Sequence, residues 1–401
     1  MGKQMGKYFR KAVVYMCLAS IALYIAGCSQ VLPGAVKEYI EANQSPLHLQ
    51  VDGLGIPENL FSDRDLYQVY LSGESHGRKK SYTAKKAFLE YFHDKAGVRF
   101  LLAEMGVGNG LLMERYLETG EERLLKDYMD RIEGTAAWVQ EEAEFWRWLW
   151  SYNQGQEEEQ KIHVLGLDIE HVPALGLEGL AEILPQDKQV PKELREAMAA
   201  IANLEENSWH LLAEALEKSP AVCVSYFGDE IVWVRQVLEN IRTAEAFYEK
   251  RDQDLGDTNS WQIREDAMMR NFIFFRSLYP EGKFFGQLGS EHIFQSECFT
   301  YSEMPVTRLA NLMNGEDSPV AGQVCSLFYI YSNDKEDYFH YDAIDQTRDR
   351  FYSLNGEDSP FKEKNYLMTQ QSVRNNKGGT CDYFQKLVVL EDIGECEKYA
   401  P

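Results

Sequence analysis

The chain has 401 residues, 44% of them hydrophobic, and a formal net charge of −23. That length allows one large domain or two ordinary ones, with enough apolar residues for a real core. The acidic balance argues against nucleic acid as a partner, because binding it takes basic stripes that neutralise phosphate.

Residues 1–27 read as a leader rather than as fold. Lys3, Lys7, Arg10 and Lys11 form a basic start, Ala12 to Tyr24 is mostly apolar, and Ile25-Ala26-Gly27-Cys28 has the form of a bacterial lipoprotein box. The expectation is a cleaved signal peptide and an extracytoplasmic body, anchored to the cell membrane by palmitate-type acyl chains on Cys28. Residues 28–62 read as a tether and lead-in with a short edge element, and 63–401 as a single domain. Besides Cys17 and Cys28, the cysteines are Cys223, Cys298, Cys325, Cys381 and Cys396. They contain no CxxC pair and no zinc spacing. Cys381 and Cys396 are the one pair considered for a disulfide.

The elements then come in order. Tyr67–Leu71 reads as a first strand, ending in Gly73-Glu74-Ser75-His76-Gly77, with a helix from Arg78 to Ala96. Val98–Glu104 is a second, mostly apolar strand and so reads as buried on both faces. Asn109–Ile132 and the Trp-rich Ala136–Asn153 have helical spacing, the latter as core. Lys161–Asp168 is a third strand, followed by Ile169-Glu170-His171. Residues 173–260 are acidic and rich in Ala, Leu and Glu. They read as a helical insertion over the sheet that roofs the cleft, with helices at Pro191–Leu204, Ser208–Glu217 and Asp229–Lys250. A helix from Ser260 to Leu278 carries Arg264. Strands follow at Lys283–Gly289, Gln323–Tyr331 and Lys386–Glu391. The hexapeptide Asn-Gly-Glu-Asp-Ser-Pro occurs at Asn314–Pro319 and Asn355–Pro360 and reads as two acidic turns, without the alternating ligands of a calcium loop.

This succession specifies an α/β fold: a mostly parallel central sheet with helices on both faces and a helical insertion. Ligands in such sheets sit beyond the carboxyl ends of the strands. Those ends hold Glu74 and His76, Glu104, Asp168 with Glu170, and Glu291 with His292.

Three chemistries fit those residues. Gly73–Gly77 matches the G-x-S-x-G elbow of serine hydrolases, and Ser75, Asp168 and His292 follow the usual order, but barely one strand precedes the turn. Alternatively His76 is a general base, oriented by Glu74 or Glu104, with Arg264, Lys85 or Lys86 stabilising an oxyanion. A third reading uses Glu74, His76, Glu104, Asp168 and His292 as ligands of a divalent metal or haem. His48, His93, His163, His210 and His340 read as structural.

These blocks resemble the erythromycin esterase-like superfamily, with its haem-binding lipoprotein and Tiki-type metalloprotease branches. The likeness rests on Gly73–Gly77 with Lys85/Lys86, on Phe100–Glu104, on Val164–Asp168 after Tyr152-Asn153, and on Arg264–Asn271 with Gly289–Ile293. It implies a hydrolase of an ester or related bond acting on a small molecule without a serine nucleophile. His76 would be the base, Glu74 and Glu104 its carboxylates, Arg264 and His292 substrate or oxyanion groups, and Lys85 and Asp168 substrate-binding residues. The chain departs from the family in two places. One residue rather than two separates Glu74 from His76, a spacing closer to the haem- and metal-binding branches, and Gly289 stands where the family has a first histidine.

Overall fold

The computed structural model describes residues 32–49, 56–57, 60–203, 208–253, 258–299, 305–332, 344–368 and 378–400. The leader and Cys28 lie outside these residues. Among the described residues, no helix is long and apolar enough to cross a membrane.

The lead-in is more than a tether. Helix α1 (Gly34–Ala42) buries Val36 and Ile40, and β1 (Gln44–Pro46) joins the main sheet. Then come β2 (Val69–Glu74), α2 (Lys79–Ala96), β3 (Phe100–Gly106), α3 (Val107–Thr119), α4 (Glu122–Arg131), α5 (Gln140–Gln154) and β4 (His163–Asp168). The stretch expected as one helix from Asn109 to Ile132 is thus two. Gly120, at φ 70°, ends α3 in the left-handed region that favours glycine.

Among the described residues the insertion holds five α-helices, two more than its periodicity showed: α6 (Pro173–Ile183), α7 (Arg195–Ala202), α8 (Ser208–Lys218), α9 (Pro220–Phe227) and α10 (Ile231–Gln253). α6 and α9 each start at a proline, which suits the first helical turn because its N–H would be unpaired anyway. The long α11 (Thr258–Leu278) leads into β5 (Phe284–Gly289). A small hairpin, β6 (Cys298–Phe299) with β7 (Pro305–Val306), precedes α12 (Leu309–Asn314), β8 (Val324–Tyr331), β9 (Arg350–Ser353) and β10 (Lys386–Leu390).

Among the described residues the main sheet has eight strands, in the order β1-β9-β10-β8-β2-β5-β3-β4. From β10 to β4 all neighbours are parallel; β9 runs antiparallel to both β1 and β10. Strand β1 is the short edge element expected in the lead-in, though its residues were not placed by their sequence, and β9 was not located. They span three and four residues at one edge, too short to show a period, and Gln44-Ser45-Pro46 has little apolar signal.

Alternate side chains of β2 feed two cores, as the pleat requires. Val69 and Leu71 pack with Leu177, Leu180, Val234, Val237 and Phe272 of α6, α10 and α11. Tyr70 packs on the other face with Phe88, Phe92, Leu125, Phe145 and Trp146. The Trp-rich helix is core at Phe145, Trp146 and Leu149, with Trp148 and Tyr152 at its margin.

Both hexapeptides form turns closed in the same way: Ser318 donates to the Gly315 carbonyl and Ser359 to that of Gly356. The five cysteines of the body are free thiols. Cys381 bonds the Leu354 carbonyl, while the Cys396 backbone N–H donates to Gly77, so the disulfide considered for them is not formed.

Candidate active site

The expected strand ends do converge. β2 runs further than its apolar segment suggests and ends at Glu74. Gly73 is required there: a Cβ would lie 2.6 Å from Ile293 and 3.0 Å from the Ser290 backbone, where the turn after β5 packs on β2. Gly77, at φ 80°, reverses the chain after His76. The N-terminus of α2 is not open to a ligand, because the C-terminal tail covers it. Lys79 N–H donates to the Gly394 carbonyl, and Gly77 accepts from Cys396 at 2.7 Å.

In β3 the pairing with β4 slips by one residue between Ala103 and Gly106. This bulge encloses Glu104 and re-aims its carboxylate along the strand end. Glu104 accepts from Arg264 Nη2 at 2.6 Å and from the Gly289 N–H at 2.7 Å. Asp168, at the end of β4, binds Arg264 through Nε at 2.9 and 3.1 Å and through Nη2 at 2.6 Å. Burial would raise both carboxyls. The surrounding cations overcome it: His292, Arg264 and His76 hold Glu104 well below the usual range, and Arg264 and His171 do so for Asp168. Conversely, Asp168 and Glu104 outweigh burial at Arg264 and fix it as a cation.

His76 is half-exposed and holds Glu74 Oε1 through Nδ1 at 2.6 Å. That hydrogen bond, against the cost of burial and helped by the Glu74 and Glu104 charges, lifts the imidazole to about 9.

His292 lies behind this layer. Its Nδ1 meets the fully buried Glu265 at 3.0 Å and its Nε2 lies 3.5 Å from Glu104. Burial disfavours its charge, but Glu265 and Glu104 push it up to about 10. Glu265 also accepts from Arg308 at 2.9 Å and from the Leu309 N–H at 2.8 Å. His292 is therefore a charged brace under Glu104, and it does not line the cavity.

The cavity is about 430 Å³. Glu74, His76, Glu104, Asp168, Arg264 and Lys85 all line it. Lys85 lies buried, its ammonium 4.0 Å above the Phe145 ring centre. Lys86 instead faces a neighbouring groove beside Trp148. Sequence reasoning missed His171, which bonds Asp168 at 3.0 Å and the Tyr248 hydroxyl at 2.6 Å. Its place three residues past a strand-end acid was the available signal. The insertion contributes Tyr248 to the lining, while most of the wall comes from α2 to α5, so the expected helical roof is largely packed on the sheet face instead.

The geometry bears on two of the chemistries. The serine triad is not assembled: Asp168 is held by Arg264 and His171, His292 by Glu265 and Glu104, and Ser75 is absent from the cavity lining. The metal reading also fits poorly. The Glu104 and Asp168 oxygens already receive Arg264, and a divalent cation among them would face a guanidinium. Among the described residues no group of three His, Cys, Asp or Glu is arranged to hold a metal ion.

Fold and site together define an α/β protein with a histidine, carboxylates and an arginine gathered at the carboxyl ends of a parallel sheet. The erythromycin esterase family model matches residues 93–284, which include Glu104, Asp168 and Arg264, in agreement with the likeness that the motifs indicated. A search of the curated proteins found no match. Among solved structures, a Bacillus cereus protein is 14% identical, covers 91% of this chain and 99% of its own, and has a TM-score of 0.63. A succinoglycan biosynthesis protein is 14% identical over 91% of this chain and 98% of its own, with a TM-score of 0.65. The erythromycin esterase EreC, as a His-to-Asn mutant in an open conformation, is 13% identical over 86% and 94%, with a TM-score of 0.56. At these identities the likeness is one of fold.

Proposed function

We propose that the protein is a hydrolase of an ester or related bond in a small molecule, with water activated by His76. The observation that carries this reading is the free edge of Arg264. Its Nε and Nη2 are taken by Asp168 and Glu104, whereas Nη1 has no hydrogen bond among the described residues, and the side chain lines the same cavity as His76.

In its neutral form, His76 Nε2 takes a proton from water as the water oxygen bonds to the ester carbonyl carbon. The carbonyl π electrons move to oxygen, and the resulting oxyanion receives the Arg264 Nη1–H. Collapse of the tetrahedral species breaks the bond to the alkoxide, which takes the proton back from the His76 imidazolium. The products are an acid and an alcohol. Glu74 holds the imidazole by Nδ1–H and so leaves Nε2 as the working nitrogen. Glu104 and Asp168 are positioning residues, and His292 holds Glu104 in turn.

The basic, apolar and small-residue succession before Cys28 supports a lipid anchor on the extracytoplasmic face. Labelling with a palmitate analogue that Cys28→Ser abolishes would test it.

Hydrolysis of p-nitrophenyl esters and macrolide lactones tests the activity. His76→Ala should remove roughly 10²–10⁴ of the rate, while Ser75→Ala should keep it and no fluorophosphonate should label the protein. Loss of turnover in Ser75→Ala would sink the reading. So would a stoichiometric metal or a Soret band in the purified protein, which would favour the metal- or haem-binding alternative.

A further inference from the structure

Part of the cavity lining has a chemistry that the hydrolytic step does not use. It is bounded by Tyr82 and Lys85 of α2, Asn109 of α3, Tyr128 of α4, Glu142 of α5 and Gln287 of β5. Asn109 is 5% exposed and Gln287 is 9% exposed. The side-chain oxygens of both are buried and meet no hydrogen-bond donor among the described residues. A buried amide oxygen without a donor costs about 1–3 kcal/mol, so two in the lining of one cavity call for a ligand that supplies donors.

The neighbours narrow that ligand. Glu142 accepts from Trp146 at 2.7 Å and adds a carboxylate to the chamber. Lys85 forms no ion pair with a carboxylate among the described residues and rests on the Phe145 face. The chamber therefore offers two orphan acceptors, one acid, one cation and the rings of Tyr82 and Tyr128. An anion would satisfy Lys85 but bring no donors, and it would face Glu142 and two carbonyl oxygens. An apolar group would leave both oxygens unpaired. A ring carrying several hydroxyls answers every feature: its O–H groups donate to Asn109 and Gln287, its oxygens accept from Lys85, and its C–H face lies against a tyrosine.

We propose that Asn109 and Gln287, with Lys85, form a recognition subsite for a neutral, hydroxyl-rich ring, a glycosyl group of the substrate. The proposal rests on the hydrolase reading for its place in catalysis, but the subsite itself is a binding property. Gln287 sits on the sheet floor and Asn109 in the first turn of α3, so both are held by rigid elements.

The test is saturation-transfer NMR on the full chain with methyl glucoside, galactoside and mannoside, against methyl glucuronide and cyclohexanol. Neutral glycosides should receive saturation, and Asn109→Leu and Gln287→Met should each weaken it at least about 10-fold. Because the removed oxygens have no partner in the free protein, both variants should melt at or above the wild-type temperature. His76→Ala should still bind glycosides, and glycoside binding without any ester hydrolysis would sink the hydrolase reading alone. The subsite is overturned if no neutral glycoside binds, if the glucuronide or cyclohexanol binds better, if the two amide variants bind like wild type, or if they lower the melting temperature by more than about 3 °C.

Discussion

Glu74→Gln isolates the pair on which the proposed chemistry depends. The glutamine keeps the size and the acceptor at 2.6 Å from His76 Nδ1 but removes the charge. In the wild type the imidazole is raised from 6.5 to about 9, first by this hydrogen bond and then, against burial, by the charges of Glu74 and Glu104. Taking away the Glu74 carboxylate leaves burial, which lowers it, opposed by Glu104. The His76 ionisation should therefore fall by about two pH units, back toward the ordinary range. At pH 7 the neutral fraction would rise from roughly one in a hundred to about half.

The sign follows. A base must be neutral, so wild-type kcat/KM should climb with pH toward a plateau above about 9, and in Glu74→Gln the climb should move to lower pH. The plateau should drop at least ~10-fold, because a less basic and less firmly oriented imidazole is a poorer base. A pH profile on a p-nitrophenyl ester measures both. The His76 ring resonance, titrated by NMR, gives the same ionisation without turnover. If the NMR ionisation of His76 moves by less than about half a unit, Glu74 does not control the imidazole.

Asp168→Asn should destabilise the fold by about 3 kcal/mol, since it removes one partner of a buried pair and leaves Arg264 with Glu104 alone; urea unfolding reads this, and an unchanged midpoint would contradict it. Gly166→Ala should yield little folded protein, because its Cβ would stand 1.9 Å from the Gly106 carbonyl oxygen where β3 and β4 meet; expression with a wild-type melting temperature would refute the clash. Glu170 is fully buried, with one oxygen on the Gly108 N–H and the other unpartnered; burial and the Asp168 charge push its carboxyl up to about 8. A carboxyl raised in the folded state binds its proton more tightly there than when unfolded. Its contribution is thus full below about 4.5 and is lost as pH rises through about 8. Glu170→Gln should flatten the fall in melting temperature over that range, and an unchanged slope would show that Glu170 is not its source.

Much of the site was legible because strand ends are legible. An apolar run followed by a polar residue marks where a parallel strand leaves the core, and in this fold those points share one rim. Glu74, Glu104, Asp168 and His292 were all found that way. The motif Gly73–Gly77 fits a serine elbow for a physical reason. The same glycines that permit an elbow also serve close packing, and here Gly73 makes room for the turn that carries His292.

By itself, the sequence determined the α/β order, the six parallel strands, the candidate acids and histidines, and the likeness to erythromycin esterase-like proteins. The order, the strands and the candidate residues follow from local periodicity and residue type, and the likeness from short motifs at the strand ends. Only the tertiary structure decided who pairs with whom. It assigned Arg264 to both Asp168 and Glu104, placed His292 behind Glu104 rather than beside Ser75, and brought His171 and the tail at Gly394–Cys396 to the site. Those contacts join residues far apart in the chain, and no local period records them. The charge state of His76 likewise depends on distances to Glu74 and Glu104 that a linear spacing does not set.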